Sequence, residues 1–242
     1  MTKTATLTIS FLLALALSNP AFAQVWPQED HFKVYTIAQP YTYVGQIGLV
    51  DQFTDLVINT AVLERIATPV MKNGEPWLDP VRHQTWWRID QPMPIWQFDV
   101  QNQFGLFRWY SFDARYLVLP ALKNEPGIPL PVTNHYKCYD ATGPAINLVV
   151  VLEDQFDTVD VVVAEPVVFC NPVEKVDEQG IVYPIENIEA HLACYRIDPK
   201  FYGRQVLMLD QFGDRVVEVA DQDWLCVPSF KINPSGTEQS TW

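Results

Sequence analysis

The chain has 242 residues, 48% of them hydrophobic, and its 29 acidic against 16 basic residues give a formal net charge of −13. This length and apolar content are sufficient for a packed core. The acidic balance argues against nucleic acid or an anionic lipid surface as a partner, because their phosphate charges repel such a chain.

Residues 1–23 have the features of a secretory signal peptide. Lys3 is the only charge, an apolar run extends from Leu7 to Leu17, and Ala21-Phe22-Ala23 fits the small-x-small cleavage rule. The run is too short to span a bilayer as a mature helix, and no later stretch is apolar enough to do so. We therefore expect cleavage after Ala23 and a chain that is secreted, periplasmic or at the cell surface, without membrane insertion.

The rest of the chain is a fourfold repeat. Each copy opens with a histidine, and these positions lie 52, 52 and 56 residues apart. A phenylalanine follows after 21 or 22 residues, and a proline and a lysine end each copy at fixed spacing. The histidines are His31, His83, His135 and His191; the phenylalanines are Phe53, Phe104, Phe156 and Phe212; the lysines are Lys72, Lys123, Lys175 and Lys231. Such a period indicates a repeated supersecondary unit.

Four cysteines occupy two equivalent slots in the third and fourth copies. Three pairings are possible, but equivalent positions should have equivalent partners, so the repeat predicts Cys138–Cys170 and Cys194–Cys226. Export permits disulfides, and the lack of a C-x-x-C motif favours a structural role. In the first two copies the same slots hold the apolar pairs Val34 with Ala67 and Trp86 with Val118. We therefore expect all eight slots to face an interior.

Alternating apolar residues predict strands, and no segment has a convincing helical period. Counting back in steps of two from the Asp or Asn before each Gln-Phe gives one buried strand face: Leu152, Val150 and Leu148; Val100, Phe98 and Trp96; Met208 and Val206. The opposite face of the third copy, with Val149 and Val151, is also apolar and is compatible with burial on both faces. The Asp-Gln-Phe segment is expected at a hairpin connection.

We expect an all-β fold in which four tandem repeats of about 52 residues form two β-sandwich or barrel-like domains. The domains are residues 24–131, with the first two repeats, and 132–242, with the disulfides. A four-bladed propeller is an alternative, and a single unit of four fused repeats is another. The propeller is disfavoured because the outer strands of a four-stranded blade lie about 14 Å apart, whereas the Cα atoms of a disulfide approach within about 7 Å.

The repeated polar residues have structural explanations, and we expect no metal and no cofactor. A spacing of about 52 residues between histidines is no ligand motif, so strand-edge histidines bonded to backbone are expected. Asp51, Asp154 and Asp210, with Asn102 as the odd member, are expected to lock turns. Calcium binding is the less favoured hypothesis for them, with a second carboxylate from Asp55, Asp157 and Asp214. The repeat lysines are expected to be solvated charges.

The second copy is rich in aromatic residues. Trp86 occupies a slot and Trp96 lies on the predicted core face, which leaves Trp87, Trp109 and Tyr110 as candidate surface residues for binding carbohydrate or peptide. No G-x-S-x-G, H-E-x-x-H, phosphate-loop or dinucleotide motif occurs in the chain. We therefore assign no catalytic residues.

The segments HYKCYDA, LEDQF and FCNPVEK, followed by HLACYRI, LDQFG and LCVPSFK, resemble a cysteine-paired β-repeat domain of unknown function from exported bacterial and archaeal proteins. The resemblance is specific over residues 135–231 and weaker over 31–123, where the cysteines are missing. It implies export and tandem β-repeats with paired cysteines, and it transfers no catalytic residues.

The leading hypothesis is an exported, non-catalytic module for adhesion, scaffolding or surface assembly, with a protein or glycan at the cell surface as partner. The alternative is a carbohydrate- or peptide-binding domain that uses the aromatic residues of the second copy. An enzyme of unknown type ranks third.

Overall fold

A computed structural model describes residues 29–232, so the predicted signal peptide and its cleavage site lie outside the described residues. Over this range the chain is all-β, as predicted, with thirteen strands and no helix. The strands are β1 (Phe32–Val50), β2 (Asp55–Pro69), β3 (Met71–Lys72), β4 (His83–Gln91), β5 (Trp96–Asn102), β6 (Gly105–Lys123), β7 (His135–Thr142), β8 (Leu148–Glu153), β9 (Thr158–Val163), β10 (Pro166–Val176), β11 (Val182–Tyr183), β12 (His191–Asp210) and β13 (Gly213–Ile232). A membrane-crossing helix is accordingly not found among residues 29–232.

A proline separates the first two strand segments of every repeat, but with different effects. In repeats 2 and 3 the strand stops there, so β4 and β5 are distinct, as are β7 and β8. In repeats 1 and 4 the proline lies within a register shift and the strand continues as β1 or β12. A bulge can hold a residue that has no N–H to donate, which explains both outcomes. The four prolines are Pro40, Pro92, Pro144 and Pro199.

Eight strands, two from each repeat, form a closed antiparallel ring. Their order is β1, β2, β4, β6, β7, β10, β12, β13 and back to β1. Hydrogen bonds therefore connect each repeat to the next, and repeat 4 to repeat 1. This is a single sheet shared by four repeats, as in the fused alternative, and not a set of separate propeller blades. The division into domains at residue 131 stays a prediction.

The inside of the ring is filled by the slot residues. Val34, Ala67, Trp86, Val118 and the four cysteines belong to one buried cluster. The two predicted disulfides, Cys138–Cys170 and Cys194–Cys226, are both present and confirm the pairing. Each joins residues that are direct cross-strand partners. The predicted interior position of the slots is therefore confirmed, and a disulfide and an apolar pair fill the same layer interchangeably.

Each repeat also extends beyond the ring as a hairpin that folds over its outer face. Successive residues of a strand point to opposite sides, so Val34 enters the ring while Tyr35 packs outside it against hairpin residues. The end of each repeat pairs with the hairpin of the repeat two further on. The partner pairs are Lys72 with Leu152, Lys123 with Met208, Lys175 with Leu49, and Lys231 with Val100. The hairpins therefore interlock across the molecule.

The predicted strand faces are confirmed except at their outer ends. Val150 and Leu152 are buried, as are Phe98, Val100, Val206 and Met208. Leu148, however, is 50% exposed, because it lies at the start of the hairpin beyond the core. Burial of both faces of the third hairpin is not observed, since Val149 is 67% and Val151 41% exposed. Within the described part of the chain, no layer packs on the outer face of β8.

The ring predicts how much the first disulfide contributes. A Cys138→Val/Cys170→Ala variant copies the apolar pair of repeat 1. It removes a cross-link between residues 32 positions apart, which increases the conformational entropy of the unfolded chain. We expect the free energy of unfolding to fall by about 3–4 kcal/mol. Urea denaturation under non-reducing conditions measures this. An unchanged unfolding midpoint relative to the oxidised parent would contradict it, and the reduced parent serves as the control.

Candidate functional site: the buried network between repeats

Each Asx-Gln-Phe connection is locked by the side chain of its first residue. Asp51 Oδ1 accepts hydrogen bonds from the backbone N–H groups of Phe53 at 3.0 Å and Thr54 at 3.1 Å. In the other repeats, Oδ1 of the Asx residue likewise accepts a hydrogen bond from the backbone N–H of the phenylalanine two residues later. The distances are 3.0 Å for Asn102, 2.9 Å for Asp154 and 2.8 Å for Asp210. The predicted Asx-type turn is confirmed in all four repeats. These four side chains are buried.

The other oxygens and nitrogens of these side chains are satisfied by the repeat two positions away. The Tyr139 hydroxyl donates to Asp51 Oδ2 at 2.8 Å, and the Tyr35 hydroxyl donates to Asp154 Oδ2 at 2.5 Å. Trp87 Nε1 donates to Asp210 at 3.1 Å, and Asn102 Nδ2 donates to the Tyr195 hydroxyl at 2.8 Å. The four residues that contact the Asx side chains occupy the same repeat position, immediately after the first slot: Tyr35, Trp87, Tyr139 and Tyr195. The contacts therefore pair repeats 1 with 3 and 2 with 4 reciprocally.

Charge is matched across the same interface. In repeats 1 and 3 the residue two after the histidine is lysine, and it pairs with the aspartate of the opposite repeat. Lys33 Nζ lies 3.2 Å from Asp154 Oδ1, and Lys137 Nζ lies 3.1 Å from Asp51 Oδ1. The equivalent residue in repeat 4 is Ala193, and opposite it repeat 2 has the neutral Asn102. Repeat 2 thus has a neutral asparagine, where the other repeats have an aspartate, because the opposite residue carries no positive charge.

The buried carboxylate of Asp210 is stabilised without a lysine from the opposite repeat. Thr85 replaces the lysine and donates its hydroxyl to Asp210 Oδ2 at 2.6 Å, while Arg215 Nη1 lies 3.2 Å from both carboxylate oxygens. Burial raises the pKa of Asp210, and Arg215 and the hydrogen bond from Thr85 oppose this shift. A buried carboxylate without a lysine is therefore neutralised by an arginine from its own hairpin.

A second set of contacts joins each repeat to the next. His31 bonds to the Gln103 amide, His83 Nε2 lies 3.3 Å from Gln155 Nε2, and His135 Nε2 lies 3.2 Å from Gln211 Oε1. The terminal lysines lie over the phenylalanine rings of the next repeat, with Lys123 Nζ 4.4 Å from the Phe156 centroid. The series continues with Lys72 over Phe104 at 6.0 Å, Lys175 over Phe212 at 5.9 Å and Lys231 over Phe53 at 4.4 Å. The last contact returns from repeat 4 to repeat 1.

These lysines correct a prediction from the sequence. They were expected to be solvated, but Lys72, Lys123 and Lys175 are at most 6% exposed. The aromatic ring below each ammonium replaces part of its hydration. Burial lowers the pKa of Lys123, Lys175 and Lys231 to about 8 in each case. The histidine–glutamine contacts were likewise missed, although the glutamine adjoins the Asx residue in every copy.

The histidines are neutral in the folded protein. Burial lowers the pKa of all four to about 3, and the positive charge of the lysine at the end of the same repeat lowers it further. Among residues 29–232, no group of three or more His, Cys, Asp or Glu side chains is placed to hold a metal ion. The network stabilises contacts between repeats and presents no open coordination site.

A depression of about 390 Å³ opens at one end of the ring, beyond the slot layer. Arg65 stacks on Trp224 at 3.6 Å from its centroid and contacts both oxygens of Asp223 at 2.6 Å. The other two arginines at the rim are also paired, Arg115 with Asp140 and Arg196 with Glu165. Since every rim cation already has a carboxylate partner, the depression has no surplus charge for an ionic ligand.

The candidate aromatic surface does not form. Trp87 and Trp109 are 1% and 0% exposed, because the hairpins fold over the ring and place both indoles in the core. Their proposal as surface binding residues is wrong. Tyr110 is 44% exposed on the outer face of β6 and is the one member of the three that reaches the surface. A carbohydrate-binding platform built from these three residues is therefore excluded.

Charge matching predicts the effect of an Asn102→Asp substitution. The new carboxylate would be buried opposite Ala193 without a cation, so we expect a loss of about 3–5 kcal/mol in the free energy of unfolding. Adding Ala193→Lys, which copies repeats 1 and 3, should recover much of that loss. Denaturant unfolding of both single variants and the double variant measures the coupling. Additive effects in this cycle would contradict the proposed pairing.

The neutral histidines predict acid sensitivity. Their pKa is about 3 when folded and 6.5 in the ordinary state, so between these values the unfolded chain binds more protons. The contribution of the histidines to stability should therefore be complete above pH 6.5 and fall as the pH decreases, by roughly 1 kcal/mol per histidine per pH unit. Unfolding measured between pH 7 and about 5 tests this, and a His83→Gln variant should show a shallower slope. A flat profile in the parent protein would contradict it.

Comparison with known proteins supports the repeat assignment. A family described as a repeat of unknown function (DUF7450) matches residues 83–228, which is more than half of the chain and covers repeats 2 to 4. No curated protein matches the chain, and neither does any solved structure. The matched region contains three of the four histidines, the Asx turns of repeats 2 to 4 and all four paired cysteines of the network. Since it covers more than half of the chain, the chain belongs to the DUF7450 family of repeats of unknown function.

Proposed function

We propose that this protein is an exported, non-catalytic structural module with a role in adhesion or surface assembly. The observation that carries the proposal is the use of the repeat signature residues. The histidine, the Asx residue and the terminal lysine of each repeat contact other repeats, and the folded ring accounts for them. Residues that recur for the sake of folding are not available for catalysis at the surface.

The two disulfides are compatible with an extracellular location, which agrees with the predicted signal peptide. A ring closed by hydrogen bonds and braced in two repeats suits a module that has to resist unfolding outside the cell. The proposal therefore assigns the interior to stability and the outer hairpin faces to contacts with partners.

The third hairpin offers the most extensive apolar outer face. Val149 and Val162 are cross-strand partners and are 67% and 37% exposed, and Val151 adjoins them at 41%. The hairpin belongs to a three-stranded sheet with order β3-β8-β9, so β9 is an edge strand. Contiguous exposed apolar residues next to a sheet edge are typical of protein contact surfaces. We assign this face, called the valine face, to assembly with a second copy or another surface protein.

The test compares the parent chain with a Val149→Lys/Val162→Lys variant by sedimentation velocity over a wide range of protein concentration. We expect the parent to associate and the variant to remain monomeric, since two charges on the valine face prevent its burial. Val44→Lys/Val57→Lys is the matched control, because those valines are 76% and 58% exposed on the first hairpin. The control should associate like the parent.

Two outcomes would reject the proposal. One is a parent chain that stays monomeric at every concentration and binds no other surface protein through the valine face. The other is turnover by the parent chain on a panel of hydrolase, transferase and redox substrates. Such turnover would favour the enzyme hypothesis.

A further inference from the structure

The carboxylate of Asp51 bridges two buried side chains of repeat 3. Its Oδ1 lies 3.1 Å from Lys137 Nζ, and its Oδ2 accepts a hydrogen bond from Asn171 Nδ2 at 3.1 Å. Lys137 and Asn171 are direct cross-strand partners on β7 and β10, so their side chains emerge on the same face. Lys137 and Asn171 are both 0% exposed, and Asp51 is 3% exposed. A nucleophile, an amide and an acid–base group thus share one water-excluded site.

Further contacts position and desolvate these three residues, Lys137, Asp51 and Asn171, which we call the triad. Lys137 Nζ also donates to the Thr54 carbonyl oxygen at 2.6 Å, and the Tyr139 hydroxyl donates to both Asp51 oxygens at 2.8 and 3.1 Å. The amide oxygen of Asn171, although buried, has no hydrogen-bond partner among residues 29–232. Burial lowers the pKa of Lys137, and the charge of Asp51 opposes this shift. Desolvation activates a lysine amine as a nucleophile.

We propose that Lys137 and Asn171 form an intramolecular isopeptide bond, with Asp51 as the proton-transfer residue. Asp51 accepts a proton from the Lys137 ammonium, and the neutral amine attacks Cγ of Asn171. The Cγ–Nδ2 bond then breaks as Nδ2 takes that proton from Asp51 and leaves as ammonia. The attacking nitrogen gives up its second proton through Asp51 to this ammonia, which becomes ammonium. An alkylammonium and a primary amide become a secondary amide and an ammonium ion, without an oxidant or a co-reactant.

The position of Asp51 suits both halves of this reaction. One oxygen contacts the attacking nitrogen and the other contacts the leaving nitrogen, which is the arrangement required of a single general base and acid. Cross-strand pairing holds the amine beside the amide, and such proximity lowers the entropic cost of the attack. The product would link β7 to β10 outside the ring, next to the Cys138–Cys170 disulfide inside it. Unlike the disulfide, the amide survives reduction.

Repeat 1 has the equivalent lysine–aspartate contact but no amide, and its lysine, Lys33, also pairs with a second carboxylate, Asp157 Oδ1, at 2.9 Å. Lys33 Nζ lies 3.2 Å from Asp154 Oδ1, and the cross-strand partner of Lys33 is Thr68, whose hydroxyl donates to Asp154 Oδ2 at 2.7 Å. A hydroxyl offers no acyl carbon for attack. Repeats 2 and 4 have neither the lysine nor the amide at these positions. The reaction is therefore confined to repeat 3.

The test is the mass of the purified full chain under denaturing and reducing conditions, followed by peptide mapping. We expect a mass below that of the sequence by one ammonia, about 17 Da, and a branched peptide that joins the segments around Lys137 and Asn171. An Asn171→Thr variant, which copies repeat 1 and should therefore fold, is expected to lose both signals. A Lys137→Arg variant should lose them as well.

A gain-of-function variant completes the experiment. A Thr68→Asn/Asp157→Ala variant places an amide opposite Lys33 and removes the second carboxylate that holds this lysine. A second ammonia should therefore be lost, and a second branched peptide should join Lys33 to the substituted position 68. Circular dichroism and retention of both disulfides report folding independently of the cross-link. A folded parent chain with the full sequence mass and separate peptides would overturn the proposal. So would a folded Thr68→Asn/Asp157→Ala variant that loses no second ammonia, because the triad geometry would then be insufficient. Neither result depends on the valine face or on assembly.

Discussion

The fold depends on a polar group that each repeat buries but does not satisfy by itself. The Asx side chain locks its own hairpin turn, and its remaining hydrogen bonds come from the repeat two positions away. An unpaired buried carboxylate or amide is costly. In an isolated repeat, this side chain would therefore be exposed to solvent or buried without its hydrogen-bond partners. Four repeats in a closed ring satisfy all of them, because the pairing is reciprocal between 1 and 3 and between 2 and 4.

A second set of contacts fixes the order of the repeats around the ring. The histidines of repeats 1 to 3 contact the glutamine of the next repeat. The terminal lysine of every repeat lies over the phenylalanine of the next, and Lys231 over Phe53 closes the circle. Contacts to the next repeat and to the opposite repeat are independent in geometry, and together they leave little freedom for another arrangement. The buried lysines are then tolerated because aromatic rings and opposing carboxylates stabilise the charge.

The interior tolerates substitution wherever the physical requirement is preserved. A disulfide and an apolar pair both fill the slot layer inside the ring, and Asp becomes Asn where the opposing lysine becomes alanine. Asp210 keeps its charge without a lysine because Arg215 supplies one. Sequence divergence among the repeats thus follows compensation of volume and charge. The triad of Lys137, Asp51 and Asn171 stands apart, since only there does compensation bring an amine against an amide.

Much of the fold is readable from the sequence by itself. The repeat period, the strands, the Asx turns at Asp51 and Asp154 and the disulfide pairs all depend on local spacing or on equivalence between copies, and the structure confirms them. Burial of Trp87 and Trp109 and of the repeat lysines was not predicted, because it depends on hairpins that fold back over a ring closed between the first and last repeats. Local pattern specifies which residues alternate, turn and pair within a copy, whereas only the tertiary structure decides which copy supplies the partner of a buried charge.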